Sequence, residues 1–106
     1  MANQASPIVK DRVTQYKDIV STTLSIFLEK DKSYGNAFLV TGLLGVCCRI
    51  IGIAGRLFKL VVDDYHSGAG HPEKVLDALQ DLLNYAAMGI ICLEEENWKG
   101  KGFGNE

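Results

Sequence analysis

Residues 38–62 constrain this chain more than any other segment, because they are almost uniformly apolar and yet carry Arg49, Arg56 and Lys59. A helix that crosses a bilayer needs roughly 20 consecutive apolar residues, and the charge-free stretch of residues 35–48 falls short of that. Arg49 would also lie near the midplane, where a cation costs about 2.5–3.5 kcal/mol even on a lenient insertion scale. The segment therefore reads as a helix buried in a water-soluble protein, with no membrane partner. The opening residues, MANQASPIVKDR, hold no apolar core of signal-peptide length. The expected location is the cytoplasm. Cysteine usage agrees: Cys47 and Cys48 are adjacent, Cys92 is the third, and all read as buried thiols in a reducing compartment, without zinc spacing.

Periodicity divides the chain into three helices. From about residue 13 to 32, Val13, Tyr16, Val20, Leu24 and Phe27 recur at three and four residues, an amphipathic pattern. Asp11 is placed to cap it, and Ser33, Tyr34, Gly35 and Asn36 form a stop signal. A second helix is expected from residue 38 or 41 to 65, with Leu43, Cys47, Ile50, Ala54, Leu57 and Val61 as its core stripe, broadened by Leu44, Ile51 and Phe58. The polar, glycine-bearing loop of residues 66–71 leads to Pro72 and Glu73, which suit the first turn of a third helix. That helix should run to about Trp98, with Val75, Leu79, Leu82, Ala86 and Leu93 facing the core.

At 106 residues the chain has room for one hydrophobic core. Helices two and three are apolar over arcs broader than three helices can cover, and a helix that is apolar nearly all round needs neighbours on most sides. The expected fold is all-α: three main helices in a small bundle over residues 13–98, flanked by tails at residues 1–12 and 99–106, the latter flexible, and completed by homo-oligomerisation. Eleven Lys and Arg against 13 Asp and Glu give a formal charge of −2, which argues against generic nucleic-acid binding.

One stripe of the second helix points to chemistry. Gly42, Gly45, Arg49, Gly52, Arg56, Lys59 and Asp63 follow one another at steps of three or four, so they share a face. Small residues let a ligand approach the backbone, Thr41 adds a hydroxyl, and the cations offer forked and point charges to an anion such as a phosphate. The bland alternative is close helix packing with ion pairs to a neighbouring helix. On the third helix Asp77, Asp81 and Asn84 lie along one face with Tyr85 beside it. These acids are either salt-bridge partners for Arg49 and Arg56 or, with Glu29 or Asp64, ligands for a divalent ion. Tyr34 is placed to stack on a base with Lys30 or Lys32 near its phosphate, or else to cap the core. No Walker, dinucleotide-fold or Ser–His–Asp signature is present.

The run Lys30-Asp31-Lys32-Ser33-Tyr34-Gly35, the pairs Arg49-Ile50 and Arg56-Leu57, and the run from Asp77 to Ala86 resemble the nucleotide-modification-associated helical domains of phages and bacteria. Those domains are distantly similar to the all-α nucleotide pyrophosphohydrolases of the MazG kind. The resemblance implies that Lys32, Tyr34 and Gly35 form the opening motif, Arg49 and Arg56 the basic positions of the middle helix, Asp77 and Asp81 the acids of the last helix, and Asn84 and Tyr85 the pair that follows. The chain departs from the enzymes in its acids: Ser25 or Ile26 stands one turn before Glu29, and Ala78 stands three residues before Asp81. Gly52 and Ile53 stand where the phage domains often carry an acid–lysine pair.

A pocket that keeps cations and lacks acids suits holding a phosphate over cleaving it, since triphosphate hydrolysis wants one or two magnesium ions. The leading expectation is an oligomer that binds a nucleotide or nucleotide-derived signalling molecule without a cofactor, sequestering it as a phage or prophage counter-defence protein. Its site would comprise Lys32, Tyr34, Gly35, Thr41, Gly45, Arg49, Gly52, Arg56, Lys59, Asp81, Asn84 and Tyr85. The alternatives are a Mg-dependent nucleoside-triphosphate pyrophosphohydrolase or accessory protein of nucleotide modification, with Glu29, Asp77 and Asp81 as catalytic acids and Asp77 and Asp81 on the metal, and a purely structural oligomeric module.

Overall fold

A computed structural model describes residues 11–34, 37–68 and 70–101, and the side chains of all of these except 31–34 and 67. Three helices account for most of them: α1 (Arg12–Tyr34), α2 (Ala37–Ser67) and α3 (Pro72–Glu94). The fold is all-α, a three-helix bundle. Asp11 caps α1, accepting a 2.7 Å hydrogen bond from the Thr14 backbone N–H, and the bonds from Thr14, backbone first, hold its carboxyl below the usual range.

A short loop makes α2 and α3 an antiparallel pair. The Gly68 N–H closes α2 on the Asp64 carbonyl at 2.8 Å, with Gly68 in the left-handed region. Asp64 Oδ2 then accepts the His71 N–H at 2.9 Å, fixing the start of α3, where Pro72 occupies the first turn. Val46, Met88 and Cys92 form the core between the two helices, with Phe27, Phe38, Leu43, Ile50 and Tyr85 packed around it.

The covered faces are rotated from those the periodicity suggests. On α2, Val46 and Ile53 are buried, whereas Leu44, Ile51, Phe58 and Val61 are exposed. On α3 the buried positions are Ala78, Asn84, Met88, Gly89 and Cys92, and Leu79 and Leu93 stay half exposed. The α1 stripe is also uncovered: Val13, Tyr16, Val20 and Leu24 face outward, and Thr23 is the buried residue, its hydroxyl donating to the Ile19 carbonyl at 2.7 Å. An apolar helix with too few neighbours can bury only one of several equivalent arcs, and periodicity alone does not choose among them.

By length and composition two helices could cross a membrane, residues 37–66 with mean hydropathy 2.1 and Pro72–Glu94 with 1.2. Their apolar surface is largely uncovered in the single chain.

Two backbone features were not expected. The first is a break in α2 at Gly42, whose φ of 70° and ψ of −163° are not helical. The second is the end of α3. Glu96 takes the left-handed conformation (φ 55°), and the Glu96 and Asn97 N–H groups return to the carbonyls of Leu93 and Cys92, a Schellman closure with glutamate in the place glycine usually holds. The chain then crosses the α2 break. Leu43 and Leu44 donate to the carbonyls of Asn97 and Trp98 at 2.9 and 3.0 Å, and Lys101 donates to Leu39. Asn97, 7% exposed, adds bonds from Nδ2 to the Leu39 carbonyl and from the Gly100 N–H to its Oδ1. Lys101, expected to lie in a flexible tail, is thus bonded to α2, and α3 stops at Glu94, short of Trp98.

The cysteines divide as well. Cys92 is buried, whereas Cys47 and Cys48 are exposed on α2, contrary to the expectation of three buried thiols. Burial, then the Glu95 carboxylate, push the Cys92 thiol up. Alkylation of the native chain near neutral pH should leave Cys92 unmodified in peptide maps and reach it only after denaturation.

Candidate functional site

The break at Gly42 aims the start of the long arm of α2 at α3, and a cavity of about 250 Å³ opens beside the core. Three elements line it. Phe27 and Lys30 come from the end of α1; Thr41, Gly45 and Arg49 come from α2; Asp81, Asn84, Tyr85 and Met88 come from α3, with Phe38 and Val46 beneath. Asp81, Asn84, Tyr85 and Met88 recur at three, one and three residues, so one face of α3 delivers all of them. The volume is just under the usual range of small-molecule pockets.

The polar groups have distinct surroundings. The Arg49 guanidinium carbon lies 5.5 Å from the centre of the Tyr85 ring, within cation–π reach. Lys30 Nζ donates to Asp81 Oδ1 at 3.0 Å, and Arg56 stands 3.9 Å from Asp81 Oδ2. Asn84 differs from all of these. It is 8% exposed, yet its amide has no hydrogen-bond partner among the described residues and its polar atoms are not sealed in protein. Its oxygen and nitrogen therefore open onto the cavity, where water or a ligand can pair with them.

A second cavity, about 270 Å³, shares Arg49 and Asp81 with the first and is otherwise lined by Cys48, Gly52, Ile53 and Arg56. Together the two bring Thr41, Gly45, Arg49, Gly52, Arg56, Asp81, Asn84 and Tyr85 of the expected set to one region. Lys59 does not join them. Its ammonium pairs with Asp63 at 3.6 Å one turn along and is 78% exposed, because it lies on the solvent side of the stripe. Lys32 and Tyr34 lie in the last turn of α1 with side chains outside the described ones, and Gly35 lies outside the described residues. Gly45 has a local reason to be glycine: a Cβ there would meet the Thr41 side chain.

The acids do not assemble a metal centre. Glu29 and Asp77 are exposed, and no group of three His, Cys, Asp or Glu able to hold an ion exists among the described residues. Asp81 is engaged by Lys30 and Arg56. Phe27 and Met88 were not expected as wall residues, since Phe27 reads as an ordinary member of the α1 stripe and Met88 falls outside the α3 stripe.

The chain matches no protein-family model, and no curated protein or solved structure is similar to it at a significant level.

Proposed function

We propose that this protein binds a nucleotide or nucleotide-derived molecule in the cavity between α2 and α3 and holds it without cleaving it. The observation that carries the reading is the convergence of the Arg49 guanidinium, the Tyr85 ring and the accessible Asn84 amide on the wall of one cavity. An amide presents a donor and an acceptor side by side, which suits the edge of a base. Arg49 presents five donors in a planar fork, which suits a phosphate. The aromatic rings of Phe27, Phe38 and Tyr85 supply apolar walls for a flat heterocycle.

Holding is favoured over hydrolysis because Glu29, Asp77 and Asp81 do not gather where a magnesium ion could bridge a triphosphate. In this reading the protein acts as a homo-oligomer in the cytoplasm, and sequestration of a signalling nucleotide by a phage or prophage protein is the biological setting proposed.

Titration calorimetry against linear and cyclic nucleotides tests it. At least one should bind more tightly than about 1 mM, the level at which affinity amounts to only about 4 kcal/mol. Absence of any binding at that level rejects the reading, and release of pyrophosphate with Mg²⁺ replaces holding by hydrolysis. Asn84→Leu sharpens the test. The substitution keeps the branched heavy-atom shape and removes an amide that has no hydrogen-bond partner among the described residues, so the melting temperature should change little while affinity falls about tenfold or more.

A further inference from the structure

The face of α2 turned away from the cavity has a repeat of its own. Leu44, Ile51, Phe58 and Tyr65 are 66, 73, 71 and 84% exposed and stand seven residues apart. Cys47, Ala54 and Val61 follow the first three at an offset of three and are exposed as well. These are the a and d positions of successive heptads, and none is charged. Arg49, Arg56 and Asp63 fall at f, on the opposite side of the helix. A monomer has no use for a 3.5-residue repeat on its open side, whereas a second helix does.

We infer that this seam docks against the same seam of a second copy, with the two α2 helices antiparallel about a two-fold axis. Side-chain sizes decide the direction. Antiparallel pairing sets Leu44 against Val61, Cys47 against Phe58 and Ile51 against Ala54, so every layer joins a larger side chain to a smaller one. Parallel pairing would stack Phe58 on Phe58 and Ala54 on Ala54, alternating crowded layers with hollow ones.

The seam also has the area a dimer needs. The exposed parts of Leu44, Ile51, Phe58 and Val61, with Cys47 and Ala54 between them, amount to roughly 500 Å² per copy, or about 1,000 Å² in all, the lower bound of a specific interface. The single chain is short of partners in its dimensions too: its radius of gyration is 17.2 Å, against about 13 Å for a compact domain of 100 residues. Lipid would not require the heptad spacing, and it would draw Arg49, Arg56 and Lys59 of the same helix toward hydrocarbon. This specifies the oligomer proposed above and is independent of the ligand, because the seam lies across the helix from Arg49.

Crosslinking and mass measurement test the inference. Light scattering on the full chain should give an even multiple of 11.6 kDa, and Ile51→Lys with Phe58→Lys should halve that mass while circular dichroism keeps its helical content. In a Cys48→Ser background, Phe58→Cys should crosslink under mild oxidation about tenfold faster than the parent, joining position 47 of one copy to position 58 of the other. A monomer, equally fast joining of position 47 to itself, or sedimentation with phosphatidylcholine vesicles would each overturn the seam. Nucleotide affinity is read on the same samples: a double-lysine monomer that still binds separates the seam from the cavity, and loss of ligand with an intact dimer leaves the seam standing.

Discussion

Gly100→Ala is expected to lower the melting temperature by about 8–40 °C. Two causes add. Gly100 has a φ of 97°, a region that costs a residue with a side chain about 1–2 kcal/mol. A Cβ at that position would also run into the Val40 carbonyl oxygen and lie 2.7 Å from the Thr41 backbone. Backbone cannot step aside as a side-chain end can, and forced overpacking costs about 1–3 kcal/mol more. The alternative to strain is release of residues 97–101, which abandons the bonds from Leu43, Leu44 and Lys101 and exposes the break in α2. Gly42→Ala should behave alike, since its Cβ would meet the Gly100 nitrogen and the Asn97 carbonyl. Gly52→Ala is the control. Its helical position has open space, so alanine should stabilise it by about 0.4–1 kcal/mol. Thermal melts followed by circular dichroism read all three, and a shift below about 4 °C for Gly100→Ala, less than 1 kcal/mol for a domain of this size, rules out the clasp.

That clasp marks the boundary of what was legible in the sequence. Helix existence is local: the capping of α1 by Asp11 and the loop before Pro72 follow from neighbours a few residues apart, and the structure has them. The pairing of Asn97, Trp98 and Lys101 with residues 39–44 joins segments more than 50 residues apart, and no spacing rule reports it. Gly42 was noticed as a small residue on a face, when its requirement is a positive φ. The site was legible where helical register alone decides, as for Arg49 on α2 and Asn84 and Tyr85 on α3. It was not legible where a closer partner competes, as Asp63 does for Lys59. The rotated core has the same origin, for Leu44 and Val46 are equally apolar and only the position of α3 distinguishes them.

Arg49→Ala is expected to weaken nucleotide binding by about 10- to 150-fold for each charge-assisted hydrogen bond lost, at about 1.5–3 kcal/mol apiece. Its cost to stability should stay within roughly 0.5 kcal/mol, because Arg49 is exposed and its contact with Tyr85 lies at the surface. Arg49→Lys keeps the charge and forfeits both the fork and the flat stack on the ring, so it should recover only part of the loss. Calorimetry on the phosphorylated ligand and on its nucleoside assigns the ends of the molecule. If Arg49 holds phosphate and Asn84 holds the base, removing the phosphate should make Arg49→Ala silent while Asn84→Leu still weakens binding. Equal sensitivity of the nucleoside to both substitutions would place the base against Arg49, and an unchanged affinity for the nucleotide in Arg49→Ala would remove the guanidinium from the site. The comparison is informative because the two residues reach the cavity from different helices, Arg49 from α2 and Asn84 from α3, and only a ligand that spans the gap between those helices can feel both.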